Sequence, residues 1–268
     1  MIPNILSIAG SDPSGGAGIQ ADLKSISANG GYAMAALTAL TAQNTTAVTG
    51  VELVSPAFVA AQIDAVFADI RVDAVKIGMI ATADIAAAVA DALTRHGARN
   101  VVLDPVMVAK GGDRLLAEDA VAVLRDRLLP LADILTPNLP EAAALLGEPE
   151  IVDAGEMQAG AARLRDLGPK AVLLKGGHLG GPDSPDVLVS ASGTAWLKGP
   201  RTATRNTHGT GCTLSAALAT QLARTADVSA AAAAAKAYVA GAIAAADRLN
   251  VGHGHGPTNH FHALWVDC

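Results

Sequence analysis

The chain has 268 residues, 51% of them hydrophobic and 16% charged, with a formal net charge of −6. That length and balance predict one α/β domain over residues 1–268, and the acidic charge without any basic run excludes a nucleic-acid footprint. Two cysteines, Cys212 and Cys268, give no disulfide framework and fit a reducing, cytoplasmic compartment.

The start, Met1-Ile2-Pro3-Asn4, lacks the charged region of a signal peptide and runs straight into a strand-like segment. Short β-like runs then alternate with helical segments. Strands are predicted over 5–9, 34–41, 74–78, 101–103, 134–135 and 172–174, and helices over 19–28, 56–70, 85–96, 117–129, 140–146 and 158–167. This rhythm implies a central, mostly parallel sheet with helices on both faces, a three-layer sandwich. Runs over 187–191 and 195–198, with Ser192-Gly193 between them, predict a small antiparallel edge. Helices over 211–224 and 229–249 close the chain, and their apolar window at 228–246, mostly alanine with Lys236 inside it, reads as a core helix rather than a membrane span. No repeat and no linker-like break interrupts the series.

In such sheets ligands sit beyond the carboxyl ends of the strands, so the residues after each strand carry the chemistry. After the first strand, Gly16 to Ala21 fits a dinucleotide fingerprint, but no Asp or Glu occurs between Asp22 and Glu52 to bind a ribose, which weakens a nicotinamide or flavin oxidoreductase. Walker, nucleophile-elbow, Cys-x-x-Cys and His-Glu-x-x-His motifs are absent. Gln43 ends the second strand with an amide able to read a ring nitrogen beside an exocyclic amine. Asp104 stands where a carboxylate can hold hydrated magnesium, or is a turn residue before Pro105. Asn138 and Glu141 form a capping-box pattern, with Glu141 also near a strand end. Lys175 meets glycines where a cation suits phosphate oxygens, or is a turn lysine. The segment Asn206-Thr207-His208-Gly209-Thr210-Gly211-Cys212-Thr213 precedes a helix, so its backbone N–H groups predict an anion cradle, and the helix start predicts a thiolate at Cys212. The plainer reading there is a turn capped by Thr207 or Thr210. The tail Gly252-His253-Gly254-His255-Gly256-Pro257 reads as a loop over the site, since glycine spacers confer no rigid metal geometry.

Together these motifs, with Gly10-Ser11-Asp12-Pro13-Ser14-Gly15-Gly16-Ala17-Gly18, Lys76-Ile77-Gly78-Met79 and Asp104-Pro105-Val106-Met107, resemble the hydroxymethylpyrimidine/phosphomethylpyrimidine kinases of the ribokinase-like superfamily, in order and along essentially the whole chain. The resemblance implies a ribokinase-like fold and ATP-dependent phosphorylation of 4-amino-5-hydroxymethyl-2-methylpyrimidine, then of its monophosphate, in thiamine biosynthesis. It places Gln43 on the aminopyrimidine edge, Met79 and Val106 along the ring, and Gly10, Asp12 and Gly18 beside the substrate. It gives Asp104 and Glu141 to magnesium, through water. Lys175, Asn138, Thr207, Gly209 and Gly211 fall to the nucleotide. Gly209, Thr210 and Gly211, with Lys175 and Cys212, are left for phosphoryl transfer. Cys212 stands where many sugar kinases of the superfamily carry an aspartate base. A homodimer is implied too, and pyridoxal kinase or a dual-specificity enzyme is the near variant. A catalytically silent ligand-binding protein on the same fold is the remote one.

Overall fold

A computed structural model describes residues 1–107 and 118–265. Cys268 and the first residue of the helix predicted over 117–129 lie outside them. In chain order come β1 (Asn4–Ala9), α1 (Gly18–Ala28), β2 (Tyr32–Leu37), β3 (Ala39–Gln43), β4 (Val48–Leu53), α2 (Pro56–Asp69), β5 (Ala74–Ile77), α3 (Ala83–Arg95), β6 (Val101–Leu103) and α4 (Glu118–Val123). Then follow β7 (Ile134–Leu135), α5 (Leu139–Leu146), α6 (Ala154–Arg165), β8 (Ala171–Lys175), β9 (Asp186–Ser190), β10 (Gly193–Leu197), α7 (Thr210–Thr225) and α8 (Val228–Ala244).

Eight strands make one sheet in the order β10-β9-β8-β7-β6-β5-β1-β2, parallel from β8 to β2 and antiparallel at the β9 and β10 edge. The inner strands are apolar on both faces because both are covered, as parallel sheets require. Leu6, Ile8, Val75, Ile77, Leu103, Val172 and Leu174 point to one layer, which holds α2 to α6. Ile5, Ala74, Val102, Ile134 and Leu173 point to the other, which holds α1, α7 and α8. From β1 the chain moves to β2 at one edge, and from β5 it moves to β6 in the opposite direction. That reversal opens a crevice at the carboxyl ends of β1 and β5.

The run predicted as one strand over 34–41 is two. β2 stays in the sheet, the chain turns at buried Thr38, and β3 pairs antiparallel with β4 in a separate ribbon. Thr38 fixes the turn by donating its N–H to the Ala9 carbonyl at 3.1 Å and its hydroxyl to the Met79 carbonyl at 2.7 Å. β4 escaped the sequence pattern because nearly all of it is exposed, so no buried face imposes alternation. α6 starts earlier than predicted, at Ala154, because the Asp153 side chain accepts the Glu156 N–H at 3.0 Å and caps it. The helix predicted to run to 129 gives way after Val123 to a π turn (Leu124–Leu128) and a 3-10 turn (Leu129–Leu131) around Pro130, and the last helix ends at Ala244 before another 3-10 turn. Among the described residues, the stretch Val228–Arg248 is long and apolar enough to cross a membrane by length and composition. Here its Ala231, Ala232, Ala235, Val239 and Ala242 are buried in the layer shared with α7.

Candidate active site

Two glycine loops meet at the crevice, backbone against backbone. Gly209 precedes the first turn of α7 with a φ of 74°, and a Cβ there would stand 1.8 Å from the Gly16 carbonyl oxygen. Gly18 opens α1 with a φ of 55°, and its Cβ would stand 2.4 Å from the Gly10 carbonyl oxygen. Only glycine meets both demands. The N-cap of α7 is Gly209, not Thr207 or Thr210 as in the plainer reading, so the cap residue itself supplies no hydroxyl. Thr210 instead donates its hydroxyl back to the Thr207 carbonyl at 2.8 Å. The first turn of α7 thus keeps its positive end toward the crevice.

Facing that turn is a cluster of charge. Lys175 Nζ lies 3.0 Å from Asp104 Oδ1 and 3.9 Å from Glu141 Oε2, and a Cβ on Gly211 would be 3.4 Å from both Asp104 Oδ2 and Lys175 Nζ. Asp104 also accepts from Thr136 Oγ1 at 3.3 Å and from Ser215 Oγ at 3.2 Å. Glu141 and Asn138 do form the capping box, each side chain accepting the other's backbone N–H at 2.8 Å, so the Asn138 side-chain oxygen is engaged in the cap. Burial, with the Asp104 carboxylate nearby, raises Glu141 to about 7 although Lys175 pulls the other way. Burial works to lower the Lys175 ammonium, yet Asp104 and Glu141 raise it.

Cys212 corrects the sequence expectation. Burial pushes its thiol up to about 11, against the opposing pull of Lys76, so it is a thiol rather than a thiolate at neutral pH. The helix end is outweighed by desolvation of the sulfur, with the negative charges of Asp22 and Asp104 adding to it. The backbone N–H of Gly18 works weakly in the other direction, toward the thiolate. Beneath it lies a pair the sequence reading missed. Lys76 Nζ sits 2.8 Å from both oxygens of Asp22, which also accepts from Ser7 Oγ at 2.6 Å, and all three residues are fully buried. A lysine inside the apolar run Ala74-Val75-Lys76-Ile77 was the available signal. Asp22 therefore neutralises a buried cation.

On the β1 side, Asp12 lies inside its own loop. Its carboxylate accepts Ser14 N–H and Oγ at 2.9 and 2.7 Å, Gly16 N–H at 3.2 Å, Ala17 N–H at 2.7 Å and His208 Nε2–H at 2.9 Å. Burial works to raise its pKa, but His208 and the loop donors hold it down at about 2. His208, not singled out from the sequence, is buried and joins Asp12 to Gln43, whose amide is 3.4 Å from the imidazole. Met79 packs with Ala39 and Ala81, and Val106 lies against them. A Cβ on Gly10 would fall 2.3 Å from Met79 Cε, so that glycine makes room for the methionine. The tail crosses the site as predicted. The His255 N–H donates to the Thr45 carbonyl at 2.9 Å and Gly256 accepts from the His208 N–H at 3.0 Å.

The sequence model of the family described as phosphomethylpyrimidine kinase matches residues 12–259. The chain belongs to this family. It is 55% identical over 262 residues to a hydroxymethylpyrimidine/phosphomethylpyrimidine kinase from Salmonella typhimurium, covering 98% of each chain. The enzyme of the same description from Escherichia coli is 54% identical over the same share. Among solved structures, an ADP complex of Bacillus subtilis pyridoxal kinase superposes with a TM-score of 0.91 at 37% identity, covering 99% of this chain and 100% of that one. A phosphomethylpyrimidine kinase from Clostridium difficile gives 0.79 at 41% identity, covering 88% and 97%. The chain is therefore a kinase with the ribokinase-like fold, and the oxidoreductase reading of Gly16 to Ala21 falls. In this kinase that segment serves instead as the loop on which Gly209 rests.

Proposed function

We propose that this kinase transfers the γ-phosphoryl group of ATP to the hydroxymethyl group of 4-amino-5-hydroxymethyl-2-methylpyrimidine, and then phosphorylates the monophosphate to the diphosphate, as one domain serving thiamine biosynthesis. The observation that carries the proposal is the first turn of α7 set against Asp104, Glu141 and Lys175, with Gln43, Met79 and Val106 on the adjoining side of the same crevice. The relatives named for both phosphorylations support it.

In this reading the N–H groups of Gly209, Thr210 and Gly211 hold the phosphoryl group in transit, and Lys175 turns from Asp104 to the nucleotide phosphates with Asn138 and Thr207 nearby. Phosphoryl transfer has a loose transition state, so placement and charge stabilisation matter more than a strong base. Cys212 accordingly acts as a thiol that holds the attacking hydroxyl. The donor set fits magnesium. Two buried carboxylates flank one ammonium, and Glu141, raised first by burial and then by Asp104, would gain from a cation beside it. Among the described residues no three His, Cys, Asp or Glu side chains converge, which suits an ion held through its own waters. When bound, magnesium neutralises phosphate charge, and Asp104 and Glu141 would hold it. Gln43 would take the aminopyrimidine edge, Met79 and Val106 the ring faces, with Gly10 and Gly18 shaping the floor.

Exposed Leu40, Val51 and Leu53 on the β3 and β4 ribbon, at 49%, 48% and 48% exposure, support a homodimer through that ribbon. Low cysteine use and biosynthetic relatives support a cytoplasmic enzyme. The likeness to pyridoxal kinases is one of fold, and pyridoxal enters as the competing substrate against which the pyrimidines are compared. Product analysis by phosphorus NMR tests the main reading. The alcohol, ATP and magnesium should give a monophosphate that is consumed as the diphosphate grows. Accumulation of monophosphate alone would contradict the second transfer.

A further inference from the structure

His208 stands directly before Gly209, the N-cap of α7, so whatever holds it helps to set where the first turn of that helix points. Its main chain is tied to the tail. The His208 N–H donates to the Gly256 carbonyl at 3.0 Å, and its own carbonyl accepts the Thr258 N–H at 3.4 Å. Its side chain reaches instead to the loop between β1 and α1, where Nε2 donates to Asp12 Oδ2 at 2.9 Å. Both side chains are buried. A carboxylate only accepts, so the one hydrogen on that nitrogen lies in this bond.

The same oxygen also holds its own loop. Asp12 Oδ2 accepts the Gly16 N–H at 3.2 Å and the Ala17 N–H at 2.7 Å, and Ala17 is the N-cap of α1. The imidazole packs against Gly16, where a Cβ would stand 2.4 Å from His208 Cδ2. One carboxylate oxygen thus joins the start of α1 to the residue before α7's cap, across 196 residues of sequence. Hydrogen bonds to an ionised acceptor are the stronger ones. Gly209 has no side chain with which to hold itself, so the anchor falls to the residue before it.

We propose that His208 and Asp12 are positioning residues whose hydrogen bond sets the N–H groups of Gly209, Thr210 and Gly211 against the loop after β1, and so aligns the phosphoryl group in transit with the acceptor hydroxyl. The inference rests on those N–H groups holding the phosphoryl group, as proposed above. Asp12 then acts through His208 rather than by touching the substrate ring. Phosphoryl transfer depends on placement, and a misplacement of about 1 Å costs about 100-fold in rate. Loss of the bond therefore falls on kcat. The nucleotide and the ring are held by other side chains, so their KM values hardly move.

The test measures kcat, and KM for ATP and for the aminopyrimidine alcohol, in the wild type, His208→Ala, His208→Gln and Gly211→Ala, with the folded fraction of each followed by thermal unfolding. His208→Ala should lower kcat about 100-fold and leave both KM values nearly unchanged. His208→Gln places an amide N–H close to where Nε2–H was, and should recover most of that loss. A merely structural role would instead show as less folded protein, with kcat per folded molecule unchanged. A raised KM for the alcohol with kcat kept would put His208 to work through its 3.4 Å contact with Gln43 and overturn the proposal. A glutamine variant as slow as the alanine variant would overturn it too. If Gly211→Ala is slow while His208→Ala keeps full kcat, the cradle stands and the positioning role falls. If Gly211→Ala is itself fully active, the cradle reading fails and takes the proposal with it.

Discussion

At the scale of single residues the structure turns on which groups are charged. Cys212 sits at a helix start, a place that favours a thiolate, yet desolvation and two nearby carboxylates raise it to about 11. Alkylation of Cys212 by iodoacetamide should accelerate only toward pH 11, followed by peptide mass spectrometry; acceleration near pH 7 would show a thiolate. Cys212→Ala should lower kcat by about 10²-fold through loss of placement, with Cys212→Ser recovering part of it. Nearly full turnover in the alanine variant would reduce Cys212 to a helix-start residue. Asp12 shows the opposite shift. Its native pKa of about 2 lies below the ordinary 3.8, so its stabilisation is present above pH 3.8 and is lost as pH falls toward 2. The contribution is about 2 kcal/mol.

Among the elements, α7 and its loop give the sharpest contrast. Gly209→Ala places a Cβ into the Gly16 backbone at a positive φ, so it should lower both stability and activity. Gly211→Ala meets only ordinary contacts at 3.4 Å, so thermal unfolding should be unchanged while kcat/KM falls, because the methyl fills the space before Asp104 and Lys175. Equal losses of stability in both variants would contradict this division. The buried link between β5 and α1 makes a further case. Lys76→Met should destabilise by about 3–5 kcal/mol, and adding Asp22→Leu should recover most of that loss in urea denaturation, since an unpaired buried charge costs more than the pair contributes. The buried strands of the sheet were legible because burial on both faces leaves nearly continuous apolar runs. The β3 and β4 ribbon was not, because it lies outside the core and carries no buried face to impose a pattern. The glycine loops, Asp104, Glu141 and Lys175 were legible from their positions after strands. His208 was not, because its partner Asp12 is 196 residues away in sequence. Lys76 and Asp22 gain meaning only once β5 lies beside β1.

For the whole molecule, acid sensitivity gathers where the tail packs on α7. His260 is buried, accepts or donates at 3.1 Å with Thr213 Oγ1, and is pushed by burial to about 4 from 6.5. The unfolded chain takes up this proton first, so stability should fall as pH drops from 6.5 through 4, by about 3 kcal/mol. Urea midpoints across that range check it, and His260→Gln should flatten the curve; an unchanged slope in that variant would assign the sensitivity elsewhere. The same packing joins sheet, glycine loop and tail into one crevice, and the proposed function turns on what is phosphorylated there. ADP release by the purified protein with ATP and magnesium, compared for the aminopyrimidine alcohol, its monophosphate and pyridoxal, decides it most directly. Turnover should be seen with both pyrimidines and exceed that with pyridoxal, whereas release with neither pyrimidine would contradict the account.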